Sequence, residues 1–178
     1  MREMPSKVPF GYEPPIQREK GTLIFYDTFE GTTDEELDIA AETAKARAFT
    51  RLVLYPIHEE TARRMSEEPV SPYYRREKRL LAWMREREGD GVAPELDRWE
   101  GKRKKYTPID AALRHLTETL PAPHFVYMTP ATANRFASYS SFEPWIVKLR
   151  LVLSAVPASP APKLAAYRSR WSLAWEDE

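Results

Sequence analysis

Two short apolar runs, Leu23-Ile24-Phe25-Tyr26 and Leu52-Val53-Leu54-Tyr55, bracket a single amphipathic stretch, and that arrangement leaves few folds open. Gly21 and Gly31 flank the first run and Pro56 closes the second, so both have the length and punctuation of buried strands. Between them, Thr33 to Phe49 carries Leu37, Ala40, Ala41, Ala44 and Ala48 at helical spacing, with charges on the other face. Thr33 followed three residues later by Glu36 is a capping signature for the start of that helix. Strand, helix and strand in so short a span predict a right-handed crossover between parallel neighbours. A parallel sheet needs helices on both faces, which makes the fold class α/β.

The rest of the chain supplies more of the same material. Glu59 to Ser66 and Tyr74 to Glu88 read as helices, the second with Leu80, Leu81 and Met84 on one side. A loop from Gly89 to Pro94 leads into the basic segment Arg98 to Lys105, read as solvated between helices. Thr107, Pro108 and Asp110 predict a helix start with Thr107 as the cap, and Ile109, Ala112, Leu113 and Leu116 then face inward. His115 is expected to be exposed on this helix. Phe125-Val126-Tyr127-Met128 is a third strand, and Leu149 to Val156 is a helix end or a fourth. Leu164, Tyr167, Trp171 and Trp175 sit at helical spacing, so the tail is expected to dock as a helix. The expected organisation is a Pro-rich extended arm over 1–20, an α/β body over 21–156, and a Pro/Ala linker with a C-terminal helix over 157–178.

Composition narrows the function classes. Lys+Arg and Asp+Glu are both 27, so the chain is not built as a basic nucleic-acid binder. With no cysteine, disulfides and thiolate chemistry are excluded. Three histidines leave little for a His-based metal centre, and no apolar run is long enough to span a bilayer. No secretory signal is read at the N-terminus, so a cytoplasmic address is expected.

In an open parallel sheet, ligands bind beyond the carboxyl ends of the strands, which directs attention to Tyr26 through Thr33. Asp27 and Glu30 resemble the strand-end acids of the haloacid dehalogenases, but they are three residues apart where that motif needs two. A broader resemblance covers residues 21–156. Thr28-Phe29-Glu30-Gly31-Thr32-Thr33-Asp34-Glu35-Glu36, followed by an alanine-rich helix, resembles the T/S-F-D-P and H-x-G-H signature of the adenylyltransferase superfamily. Arg51 to Pro56, Ser71 to Leu81, Tyr106 to Leu116, Phe125 to Ala131 and Tyr139 to Val152 resemble, in order, later segments of bacterial nicotinate mononucleotide adenylyltransferases. The resemblance implies a Rossmann-like parallel sheet and a nucleotide pocket near Thr28, Phe29, Thr33, Glu36, Arg79, Thr107 and Tyr139; His58, at the carboxyl end of the second strand, is a further pocket candidate by its position as a lone histidine there. It implies ATP and Mg²⁺ as cofactors, and a place in NAD biosynthesis, if the chain is active.

The departures fall on the chemistry. Thr33 and Glu36 stand where the family has its two phosphate-binding histidines, Glu35 replaces the intervening glycine, and Ala131 replaces a later acid. Asp34, Glu35 and Glu36 put three negative charges in the first helical turn, with Glu30 just before it, where a polyphosphate would need a positive environment. In this acid cluster Glu30, Asp34 and Glu35 are weak candidates to hold Mg²⁺, and no other metal site is expected. The expected function is a nucleotidyltransferase-like pseudoenzyme: a binding, regulatory or assembly protein with a protein partner or self-association, and with weak nucleotide affinity. The alternatives are an active nucleotidyltransferase that has rebuilt its phosphate site from Arg79 and Lys102 to Lys105, or a nucleic-acid module using residues 98–106.

Overall fold

The computed structural model describes residues 21–66, 68–87 and 91–176; the expected N-terminal arm lies outside them. Strands β1 (Thr22–Asp27), β2 (Arg51–Pro56), β3 (Pro94–Leu96), β4 (His124–Met128), β5 (Arg150–Leu153) and β6 (Trp171–Leu173) form one sheet in the order β3-β2-β1-β4-β5-β6. Every neighbouring pair is parallel. The protein is therefore α/β and Rossmann-like, and its strand order reverses between β1 and β4.

Period-two alternation along the central strands divides the core. Leu23, Phe25, Leu52, Leu54, Phe125 and Tyr127 point to one face. There they meet Leu37, Ala40, Ala41 and Ala44 of α1 (Asp34–Ala46) with Leu80 and Trp83 of α3 (Tyr73–Glu86). Ile24, Tyr26, Tyr55, Val126 and Met128 point to the other face. That face is covered by α2 (Glu59–Met65), α5 (Ile109–Thr119), α6 (Pro130–Ala137), α7 (Phe142–Ile146) and α8 (Pro162–Ala166). Helix α4 (Trp99–Arg103) packs beside α2 and α5. Ahead of β1, Gly21 is obligatory, because a Cβ there would lie 1.9 Å from the carbonyl oxygen of Pro123.

Four expectations are corrected. The tail docks, but α8 and one 3-10 turn (Arg168–Arg170) lead into β6, so Trp171 belongs to a strand. Trp171 and Leu173 alternate around Ser172, a period of two, and the open edge of β5 supplies the partner backbone, as in Ala174 N to Leu153 O at 2.9 Å. The sheet thus takes its last strand from the tail. The basic segment is not a plain solvated loop: α4 forms there because Glu100 is drawn fully inside by buried donors. Helix α5 starts one residue later than its motif suggests, with Pro108 as cap, because the Thr107 hydroxyl bonds Arg103 and Lys105 instead. His115 is not free at the surface; it stacks on Trp99 with ring centres 4.2 Å apart and pairs with Asp97 at 2.9 Å.

Candidate functional site

A cavity of about 380 Å³ lies at the reversal of strand order, above the carboxyl ends of β1 and β4. Its volume is in the range of small-molecule sites, and its position is the one an open parallel sheet favours for ligands. Strand β1 contributes Asp27, the turn after it Thr28, Glu30, Gly31 and Thr32, and α1 contributes Glu36. Ile57, Ala62, Met65, Pro69 and Val70 make an apolar wall from the segment after β2. Thr129, Ala131, Thr132 and Arg135 close the β4 side.

The turn above β1 is held by its own side chains. Asp27 Oδ1 accepts from Phe29 N at 2.7 Å and Thr28 Oγ1 accepts from Glu30 N at 3.2 Å. Phe29 adopts φ 63°, a left-handed conformation that a bulky residue enters only against a cost. Burial of its ring beside Phe25, with centroids 4.8 Å apart, stabilises it there. Arg76 fastens this turn to its neighbours. With 3% of its side chain exposed, it donates to Thr28 O at 2.8 Å, Ile57 O at 2.7 Å and Ser71 O at 2.9 Å. Its charge is met by Glu59 at 3.1 Å and Glu30 at 3.9 Å. Burial lowers the Arg76 pKa, and the two carboxylates oppose that shift.

Both helix N-termini at the crevice carry a side-chain cap. In α1, Thr33 Oγ1 accepts from Glu36 N at 3.1 Å, while Glu36 Oε1 accepts from Thr33 N at 2.8 Å, forming the complete capping box. In α6, Thr129 Oγ1 accepts from Thr132 N at 3.3 Å. The amides of Thr33, Glu36 and Thr132, donors an anion would otherwise use, thus have internal acceptors. The field has the same sign: among the described residues, Asp27, Glu30, Glu36 and Glu68 line the cavity against Arg135, whose guanidinium also donates to Met65 O. Burial raises the Asp27 pKa, and the nearby Glu36 charge raises it further. Glu30 shifts down because Ser71 N–H and Arg76 stabilise its charge.

The residues singled out from sequence separate into groups. Thr28 and Glu36 line the crevice, and Thr33 caps the helix at its edge. Phe29 is buried on the opposite face of the turn. Tyr139 and Thr107 line an adjoining cleft of about 500 Å³, which shares Met65 with the crevice. His58 lies apart: its Nδ1 accepts from Glu60 N at 3.1 Å, capping α2, and its ring borders a separate cavity with Tyr73, Lys102 and Lys104. Arg79 is on the surface, 3.7 Å from Asp34. Glu30, Asp34 and Glu35 do not converge, and no group of three His, Cys, Asp or Glu side chains among the described residues could hold a metal ion. In the basic segment, Trp99 is stacked on His115, Arg103 lies over Trp99, and Arg98 pairs with Glu77.

Sequence reasoning missed Arg76 and Glu100. Arg76 had a signal, since Tyr73, Arg76, Leu80 and Trp83 continue one helical stripe and all four are buried. Glu100 had none. Compared with known proteins, the chain matches no family model and no curated sequence.

Proposed function

We propose that this chain is a diverged nucleotidyltransferase-like protein that no longer handles phosphate and acts as a binding, regulatory or assembly protein. In this reading, its crevice holds the small molecule to which it responds. The observation that carries the reading is the capping box at the crevice edge. Glu36 Oε1, 2.8 Å from Thr33 N, occupies a donor that a phosphate oxygen would use, and it does so with a carboxylate. Phosphoryl transfer depends on positive groups placed around the transferring phosphorus, and substituting threonine and glutamate for histidines there costs orders of magnitude in rate. The alternative cations do not restore such a site. Arg79 is on the outer surface, and Lys102 and Lys104 border a different cavity.

The test is calorimetric titration with ATP and Mg²⁺ and with nicotinate mononucleotide, together with an assay for released pyrophosphate. Affinity weaker than about 1 mM and no pyrophosphate are expected. Micromolar binding with pyrophosphate release would overturn the reading. Thr33→His combined with Glu36→His should remain inactive, because Glu35 and Asp34 keep the turn negative.

A further inference from the structure

The crevice has two walls of different chemistry, and together they select a ligand class. One wall is apolar, made by Ile57, Ala62, Met65, Pro69 and Val70. The other presents carboxylates, and Asp27 at the end of the central strand matters most. Its Oδ1 serves the turn, yet no cationic side chain among the described residues forms an ion pair with it. Glu36 stands near enough to raise the Asp27 pKa further, and Glu30 and Glu68 add negative charge around the same space. A carboxylate in a partly desolvated cavity, surrounded by like charges and lacking a counterion, is stabilised by a cation brought in from outside. Among the described residues, the cation in the lining is Arg135, which is at the β4 side and donates to Met65 O.

We propose that the switch-point crevice binds a small organic ammonium compound, its cationic nitrogen beside Asp27 and Glu36 and its apolar body along Ile57, Met65 and Val70. This deepens the function proposed above and rests on it, since a crevice that handled polyphosphate would need the opposite field. The cavity of about 380 Å³ accommodates a single-ring or branched aliphatic amine and not a dinucleotide. Specificity comes from charge on one side and shape on the other. The anionic analogue of the same body meets Asp27 and Glu36 and is rejected.

Phenethylamine and phenylacetate have similar bodies and opposite charges, so the experiment pairs them, with inorganic phosphate as a third probe. The full chain labelled with ¹⁵N is titrated with each and followed by amide NMR. Phenethylamine is expected to give saturable shifts at Thr28, Gly31 and Ala131, while phenylacetate and phosphate leave these amides in place. Asp27→Asn keeps the Oδ1 acceptor for Phe29 N, and Glu36→Gln keeps the cap, so both remove charge without removing the local hydrogen bond. Each should weaken phenethylamine binding about tenfold or more. Equal or stronger shifts with phenylacetate, an unchanged affinity in both variants, or no shifts up to about 10 mM phenethylamine would overturn the proposal. If ATP also fails to bind, the pseudoenzyme reading survives that outcome; if ATP and Mg²⁺ bind with turnover, both readings fall.

Discussion

Replacing Glu100 by alanine leaves three buried donors without a partner at once. Its carboxylate is fully enclosed, with Oε2 2.6 Å from Tyr55 Oη and Oε1 2.9 Å from both His58 N and Thr61 Oγ1. Thr61 Oγ1 in turn accepts from Thr107 N at 2.9 Å, so β2, α2, α4 and the approach to α5 meet through one side chain. An unsatisfied buried donor costs about 1–3 kcal/mol. Three donors bound the loss at roughly 3–9 kcal/mol, and water entering the emptied volume offsets part of it, leaving about 3–5 kcal/mol. Glu100→Gln retains one acceptor oxygen and sheds the cost of burying a charge, so its loss should stay below about 2 kcal/mol. In a chain of this length each kcal/mol moves Tm by about 2–4 °C, so the alanine variant should melt roughly 6–20 °C below the parent.

The same side chain has a pH signature. Burial holds the Glu100 carboxyl above its ordinary value, with Tyr55, His58 and Thr61 opposing the shift. The native state therefore keeps a proton that the unfolded chain releases. Its contribution to stability is full below about pH 4 and is lost as pH rises through the native value. Glu100→Gln should remove that slope from urea-denaturation free energies measured across the acid range. An alanine loss below about 1 kcal/mol, or an identical slope in the glutamine variant, would refute the reasoning.

Further outcomes are expected from other sites. Arg76→Met, which frees the carbonyls of Thr28, Ile57 and Ser71 and leaves Glu59 without its buried partner, should cost about 3–5 kcal/mol in equilibrium unfolding. Gly101→Ala, normally helpful inside a helix, should destabilise by about 1–3 kcal/mol, because its Cβ would lie 2.4 Å from the enclosed ring of Tyr73. Thr33→Ala should lower stability by about 1 kcal/mol through loss of the cap, measured by thermal unfolding. Phe29→Gly and Phe29→Ala both lose the ring from the core, but glycine should be the milder by about 1 kcal/mol, since it adopts φ 63° without strain.

The framework was legible where local chemistry and tertiary placement agree. Leu23 to Tyr26 and Leu52 to Tyr55 are apolar on both faces because their strands lie inside a parallel sheet, and Thr33 with Glu36 form the cap their spacing implies. The outer strands were not legible. Pro94–Leu96 and Trp171–Leu173 contribute three residues each and are held by the edges of β2 and β5, information that lies far away along the chain. Arg79 was singled out and Arg76 passed over, although they are one helical turn apart, because charge alone does not say which arginine is buried. The crevice residues Asp27, Thr28, Thr32 and Glu36 follow from the strand end. Met65, Val70 and Arg135 arrive from other elements and could be gathered only by the fold.

Arg76 has a consequence for how the protein could respond to an occupant. Its guanidinium touches the turn beyond β1, the exit of β2 and the lead into α3, adding to the Ile57 N–Asp27 O and Ser71–Glu30 hydrogen bonds that also link them. One interior side chain thus reaches all three sides of the opening. A guest that draws Glu30 toward itself competes with that cation for the same carboxylate, so occupancy of the crevice is felt at a charge buried behind its wall.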